Sequence, residues 1–175
     1  TGVVRESGVF MVSFVLDPLP VTLQVFATTH SPVVIRELNA GQLVRVRNND
    51  GVMTMPRMDA SDGLQGTLRS YPEAFLAKSV IVCEGAGEEG LLRGLDLYRI
   101  EQEHRSLTAV GASLVNAGGY KKILGCAEAF HALGYRVAIL RDDDRQPDPD
   151  SKISKKQFNE KFKSEAGSLK RKPKK

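Results

Sequence analysis

Two acidic clusters close two short apolar runs, Ser79-Val-Ile-Val-Cys-Glu84-Gly-Ala-Gly-Glu88-Glu89 and Arg136-Val-Ala-Ile-Leu-Arg-Asp142-Asp143-Asp144. Each run is brief and rich in β-branched residues, the pattern of a buried parallel strand that hands its last residues to a loop. In open α/β sheets the crevice outside the carboxyl ends of the strands is where ligands bind, so the two loops can bring their carboxylates together there. Like charges gathered that closely repel unless a positive charge sits between them. The expected occupant is a divalent cation, or a pair of them. Hard oxygen donors select Mg²⁺ or Mn²⁺.

The elements that must position these acids can be read along the chain. Ser79–Cys83 is the first strand, and Leu91, Leu92, Leu95 and Leu97 give the Glu88–Tyr98 segment a helical period. Leu107–Val115 reads as the second strand, ending at Asn116-Ala-Gly-Gly119. Tyr120–Leu133 repeats the helical period through Ile123, Leu124, Ala127 and Phe130, with Gly134 where a helix-terminating glycine belongs. Val137–Leu140 is the third strand. Residues 79–144 therefore read β-α-β-α-β, a parallel sheet with helices packed against it through right-handed crossovers.

Upstream, Val9–Leu16 and Val21–Ala27 read as strands, and Ser31-Pro32 is a good start for a helix to Leu38. Gln42–Arg47 and Val52–Met58 alternate around Asn48-Asn-Asp-Gly51, which predicts a hairpin. Asp59–Gly66 is polar and reads as a boundary, followed by a short helix at Tyr71–Ala77.

The formal net charge of +4 in 175 residues is unevenly spread. From Ser151 onward ten Lys or Arg face two Glu, a net of +8, which leaves −4 for the preceding residues. A run such as Lys170-Arg-Lys-Pro-Lys-Lys175 attracts phosphates, but blocks of like charge with few apolar residues are also the signature of disorder, and disorder is the expectation here. No apolar stretch is long enough for a membrane helix, so no membrane partner is expected. Cys83 and Cys126 lack both metal-ligand spacing and the density of a disulfide framework, and read as core residues of a reduced, cytoplasmic compartment.

Cys83-Glu84-Gly-Ala-Gly-Glu88, the Asn116–Gly119 turn and Arg141-Asp142-Asp-Asp144 together resemble a Toprim domain, the module shared by topoisomerases, bacterial primases and a group of nucleases. In that fold a Glu follows the first strand and an Asp-x-Asp pair the third. With Phe26-Ala-Thr-Thr-His30-Ser-Pro32 upstream, which resembles the end of an ABC-type ATPase, the chain is similar to the OLD (overcoming lysogenization defect) family of ATP-dependent endonucleases. The resemblance implies an α/β, Toprim-like (Rossmann-like) parallel sheet flanked by helices and preceded by the end of an ATPase domain. It divides the chain into an ATPase remnant at 1–60, a linker and helix at 61–77, a Toprim domain at 78–150 and a basic, disordered tail at 151–175.

On this reading Glu84, Glu88, Asp142 and Asp144 are metal ligands, and Glu84, Asp142 and Asp144 are catalytic in a two-metal phosphodiester hydrolysis. Glu84 also handles the proton. The alternative for Glu88 is a cap on a helix N-terminus, where negative charge is favoured. Glu89 reads as cap or solvent, and Asp143 as pointing away. Gly118, Gly119 and Lys121, with Lys122, could hold a DNA phosphate, although a tight turn needs glycines too. His30 would contact ATP only beside a complete ATPase site. This chain has neither a Gly-x-x-x-x-Gly-Lys-Ser/Thr motif nor an acidic strand before His30, so it is not expected to hydrolyse ATP unaided. Since family members continue past the Asp-x-Asp, the sequence reads as a piece shortened at both ends.

The resemblance further implies DNA as partner and a homodimer. Two other readings stay open: a nucleotide-gated DNA-binding and assembly module that has lost catalysis, and a Toprim domain of the primase or topoisomerase sort. The last would need a nucleophilic tyrosine, and Tyr71, Tyr98, Tyr120 and Tyr135 have no distinguishing context. His104 and His131 have no evident partners in the sequence.

Overall fold

The structure, a computed structural model, describes residues 9–16, 23–49, 51–58, 63–143 and 155–169. Strands β1 (Val9–Leu16), β2 (Leu23–Thr29), β3 (Leu43–Asn49) and β4 (Val52–Thr54) form an antiparallel sheet in the order β2-β1-β3-β4. Helix α1 (Pro32–Glu37) leaves the end of β2 with proline in its first turn, where the missing N–H costs nothing. The predicted hairpin forms around a turn in which Gly51, at φ +90°, donates its N–H to Asn48 Oδ1 at 2.9 Å. Its second arm is shorter than Val52–Met58, because Pro56 has no N–H for the ladder and offers only its carbonyl, to the Arg45 N–H.

The segment expected to be a linker carries a helix of its own. Ahead of α3 (Pro72–Leu76), Gln65–Ser70 forms α2, which with its preceding residue buries Leu64 and Leu68 completely. The Gln65 side chain accepts from the Ala40 N–H and donates to the Leu38 carbonyl, tying α2 to the upstream sheet. Leu64 and Leu68, four residues apart in a stretch otherwise polar, are the signal that was there to read.

The second half follows the expected pattern. β5 (Ser79–Cys83), α4 (Ala86–Glu101), β6 (Ala112–Asn116), α5 (Tyr120–Ala132) and β7 (Arg136–Leu140) alternate, and the three strands are parallel in the order β6-β5-β7. The two crossovers step in opposite directions, which for right-handed connections puts α4 and α5 on opposite faces. β6 begins five residues later than Leu107. Residues 107–111 instead form turns, held by Asp96 Oδ1 accepting from the Leu107 N–H and closed by Gly111 at φ +81°.

The helices differ in how well they are covered. α5 buries Ile123, Ala127, Ala129 and Phe130, and Phe130 packs between Phe75 and Tyr135 with ring centroids 5.1 and 5.3 Å away. α4 has no fully buried residue, and Leu91, Leu95 and Tyr98 lie exposed along one of its faces. One hydrophobic cluster runs from Ile35 and Leu43 through Phe75, Val80 and Val115 to Phe130, joining the two halves. Arg45 crosses the same junction, its guanidinium 3.5 Å from the centroid of the Tyr135 ring and donating to the Leu133 carbonyl at 2.9 Å.

The tail departs from the expectation of disorder. Residues 155–169 form helix α6 (Lys155–Leu169), and Phe162 is buried against the main cluster with Ala166 beside it. An apolar pair spaced four residues apart gives the lysine-rich segment one face to bury, which is what a tail without a core of its own needs in order to fold. The expectations that fall on residues 1–8 and 21–22, on Asp144 and on the terminal lysine run lie outside the described residues. No described helix is long and apolar enough to cross a membrane.

Candidate metal and nucleic-acid site

The parallel register decides what meets what. Cys83 pairs with Asn116 on one side and Leu140 on the other, so the chain leaves all three strands at one level. Just past that level stand Glu84, the turn 117–119 and Arg141–Asp143. Backbone bonds lock the three exits together: the Glu84 N–H donates to the Leu140 carbonyl at 2.9 Å, the Ala117 N–H to the Cys83 carbonyl at 2.9 Å, and the Gly119 N–H to the Glu84 carbonyl at 2.8 Å. Glu84 is the central residue of this arrangement and is 7% exposed. Sequence reasoning assembled these loops at one edge of the sheet, and the structure brings them there.

The other acids of the first cluster are engaged locally. Glu88 Oε2 accepts from the Gly85 N–H at 2.8 Å, the capping geometry weighed as the alternative to its ligand role, and its second oxygen keeps its remaining acceptor capacity. Glu89 accepts from Arg93 at 2.7 Å and from the Tyr71 hydroxyl at 3.2 Å. It serves as a structural anchor between α3 and α4 rather than as a solvent-facing residue. Burial, and then the Glu89 carboxylate, raise the Tyr71 hydroxyl above its ordinary value.

In the second cluster Asp142 is exposed and its Oδ1 accepts from the Asp143 N–H at 2.7 Å. Asp143 turns toward the tail helix, where its Oδ1 accepts from Asn159 Nδ2 at 2.6 Å. It points at a partner that sequence reasoning missed. Asn159 is also the acceptor for Arg141. Phe158, Phe162 and Ala166 at helical spacing were the available signal that this segment folds back.

Gly118 and Gly119 adopt φ +74° and +117°, so the turn requires glycine on backbone grounds. Both of their N–H groups are already used, Gly118 toward Asn116 Oδ1 at 2.8 Å and Gly119 toward Glu84. A phosphate at this turn would therefore meet Lys121 and Lys122, both exposed, rather than those two donors. Lys122 reaches back over the turn, its Nζ 3.9 Å from where a Cβ on Gly118 would stand. His30 is exposed at the end of β2, beside a turn in which the Ser31 N–H donates to Thr29 Oγ1 at 3.1 Å.

Among the described residues no group of three or more His, Cys, Asp and Glu side chains is gathered at metal-binding spacing. The donors that do share the edge, Glu84 and Asp142, are both hard carboxylates. Mg²⁺ retains several waters and is commonly held by one or two carboxylates, so this donor set fits it in kind and number. Cys83, though adjacent, offers no thiolate: burial and the Glu89 and Glu88 carboxylates push its thiol up to about 11. Burial pushes Cys126 to about 11 as well, and both cysteines are free.

A three-stranded parallel sheet flanked by helices, with an acidic residue leaving its central strand and two more leaving its edge strand, defines a Toprim-like α/β domain. Residues 75–144 match the family model of the overcoming lysogenization defect protein-like TOPRIM domain. The match begins at Phe75 and ends at Asp144, and so contains every element of the parallel sheet and both acidic loops. It points to a metal-binding domain that processes nucleic acid. No curated protein matches the chain.

Proposed function

We propose that the Toprim-like domain hydrolyses phosphodiester bonds in DNA as a Mg²⁺- or Mn²⁺-dependent endonuclease. The observation that carries this reading is the meeting of Glu84 and the Asp142 loop at the carboxyl edge of one parallel sheet, within the segment matched to the OLD-like TOPRIM model. Glu84 and Asp142 would hold the ion, with Asp144 and the second oxygen of Glu88 available to complete the set. When bound there, the metal would neutralise charge on the phosphodiester and make the attacking water more acidic.

The chain's own residues supply the rest. Glu84 sits at the centre of the edge, buried and fixed through its backbone to both neighbouring strands, so its carboxylate has the rigid placement that proton transfer needs. Lys121 and Lys122, at the exposed start of α5, face the solvent from which a DNA backbone would approach, and would bind it as point charges. The exposed Lys156, Lys161 and Lys163 of α6 would add to that attraction.

A link to ATP, with His30 at the γ-phosphate, belongs to this reading only in a protein with a complete ATPase site. A homodimer rests on the resemblance in the same way, and a cytoplasmic setting rests on the cysteine usage. A topoisomerase reading would need an activated tyrosine, and two of the four do not supply one. Burial holds the Tyr135 hydroxyl, which donates to the Phe75 carbonyl, well above its ordinary value, and Tyr71 is shifted in the same direction. Neither is an activated nucleophile.

The test is supercoiled plasmid incubated with the full chain and Mn²⁺ or Mg²⁺, beside Glu84→Gln and Asp142→Asn. Nicking that disappears in both variants supports the reading. Metal-independent retention of DNA without any nicking would replace it with the DNA-binding module.

A further inference from the structure

We infer that helix α6, which lies wholly beyond the matched segment 75–144, completes the candidate site by positioning its second acidic loop, with Asn159 as the positioning residue. This rests on the reading of Asp142 as a metal ligand.

The Asp142 loop has little to hold it by itself. It leaves β7, which pairs with β5 alone among the described strands, and Asp142 and Asp143 are both exposed. Within its described part, the Asp143 N–H donates to Asp142 Oδ1 at 2.7 Å. An exposed segment with two adjacent like charges samples many conformations unless another element holds it.

Asn159 removes that freedom by using both ends of its amide. Its Oδ1 accepts from Arg141 and its Nδ2 donates to Asp143 Oδ1 at 2.6 Å, so the residues on either side of Asp142 are gripped by one side chain. Arg141 closes the ring, its guanidinium 3.7 Å from Asp143 and 4.4 Å from the centroid of Phe162. Phe162 is buried, and its ring is 5.6 Å from that of Tyr120 at the start of α5.

The clamp is thereby anchored to the helix that begins at the Gly119 turn. Between β7 and α6 lies a cavity of about 700 Å³ lined by Ile139, Arg141, Asp142, Asn159, Phe162 and Ala166. α6 is thus not laid continuously along the strand, and its hold on the loop passes through Phe162 and this polar ring. Asp142, between the two gripped residues, is exposed and lines the same cavity.

Groups that orient metal ligands typically change affinity by roughly 10–100-fold when removed. In the full chain, Asn159→Ala is expected to weaken Mn²⁺ binding, measured by calorimetry, by a factor in that range, with helix content unchanged by circular dichroism. The Asp143 amide should exchange with solvent faster in the same variant. Asn159→Asp, which keeps an acceptor for Arg141 but sets a carboxylate against Asp143, should loosen the loop at least as much.

Unchanged Mn²⁺ affinity in Asn159→Ala, in a protein whose affinity does fall in Glu84→Gln and Asp142→Asn, overturns the positioning role. If instead those two variants bind Mn²⁺ as the parent does, the metal assignment is what fails. Exchange at Asp143 then decides by itself whether Asn159 holds the loop.

Discussion

The two acidic loops at the sheet edge carry the same kind of charge and are held in opposite ways. The loop after β5 is satisfied by its own neighbourhood: Glu88 caps Gly85, Glu89 binds Arg93 one turn on, and the backbone of Glu84 bonds to both adjacent strands. The loop after β7 is held from a distance, through Asn159 and Phe162 of a helix that returns after an intervening stretch of chain. A site built this way has one half that folds with the sheet and one half that depends on a docked helix.

That contrast can be broken first at the chemistry. Glu84→Gln and Asp142→Asn are each expected to lower plasmid nicking by roughly 10²–10⁴-fold, the usual worth of a positioned acid–base group, with little change in stability for the exposed Asp142. An activity that survived Asp142→Asn would mean that only the locally held loop matters.

The next largest effect is on stability and is one-sided. Phe162→Ala removes the buried ring that docks α6 and should cost about 3–5 kcal/mol of that helix's docking, read as early loss of amide protection in residues 155–169 while the parallel sheet stays protected. Simultaneous loss of protection in β5 and β6 would show that the two loops are not held independently.

At the first loop, Glu88→Ala should cost about 1 kcal/mol in urea unfolding through the lost cap on α4. Glu88→Gln keeps an acceptor for Gly85 and should be nearly neutral in stability, and its effect on Mn²⁺ affinity should be smaller than that of Glu84→Gln. A larger effect would make Glu88 a principal ligand.

The last effect is confined to alkaline solution. The thiols of Cys83 and Cys126 ionise near 9 when exposed and near 11 in the fold, so their contribution to stability is fully present below about pH 9 and is lost as pH rises through about 11. Unfolding midpoints should fall across that window in the parent and less steeply in Cys83→Ala. Alkylation of either thiol at pH 8 should be slow until the protein is unfolded.

Much of the parallel unit was legible because each of its signals is local. Two β-branched runs, two helical periods and the Gly134 stop lie within 79–144, while the register that aligns Cys83, Asn116 and Leu140 came from the structure. The misses share a cause. β6 starts after turns that Asp96 stabilises from eleven residues earlier, α2 forms because Leu64 and Leu68 reach the common core, and α6 forms because Phe162 finds Tyr120 and Arg141. In each, a long-range partner supplies what local propensity lacks.

By itself the sequence determined which residues could do chemistry and at which end of which strand they stand, since strand periodicity and the glycine turns are written in neighbouring residues. Only the tertiary structure decided how they are held. Whether the Gly119 N–H is spent on the Glu84 carbonyl, and whether a lysine-rich tail returns to grip Asp143, depend on distances between segments remote in the chain, and those distances exist only once the core has closed.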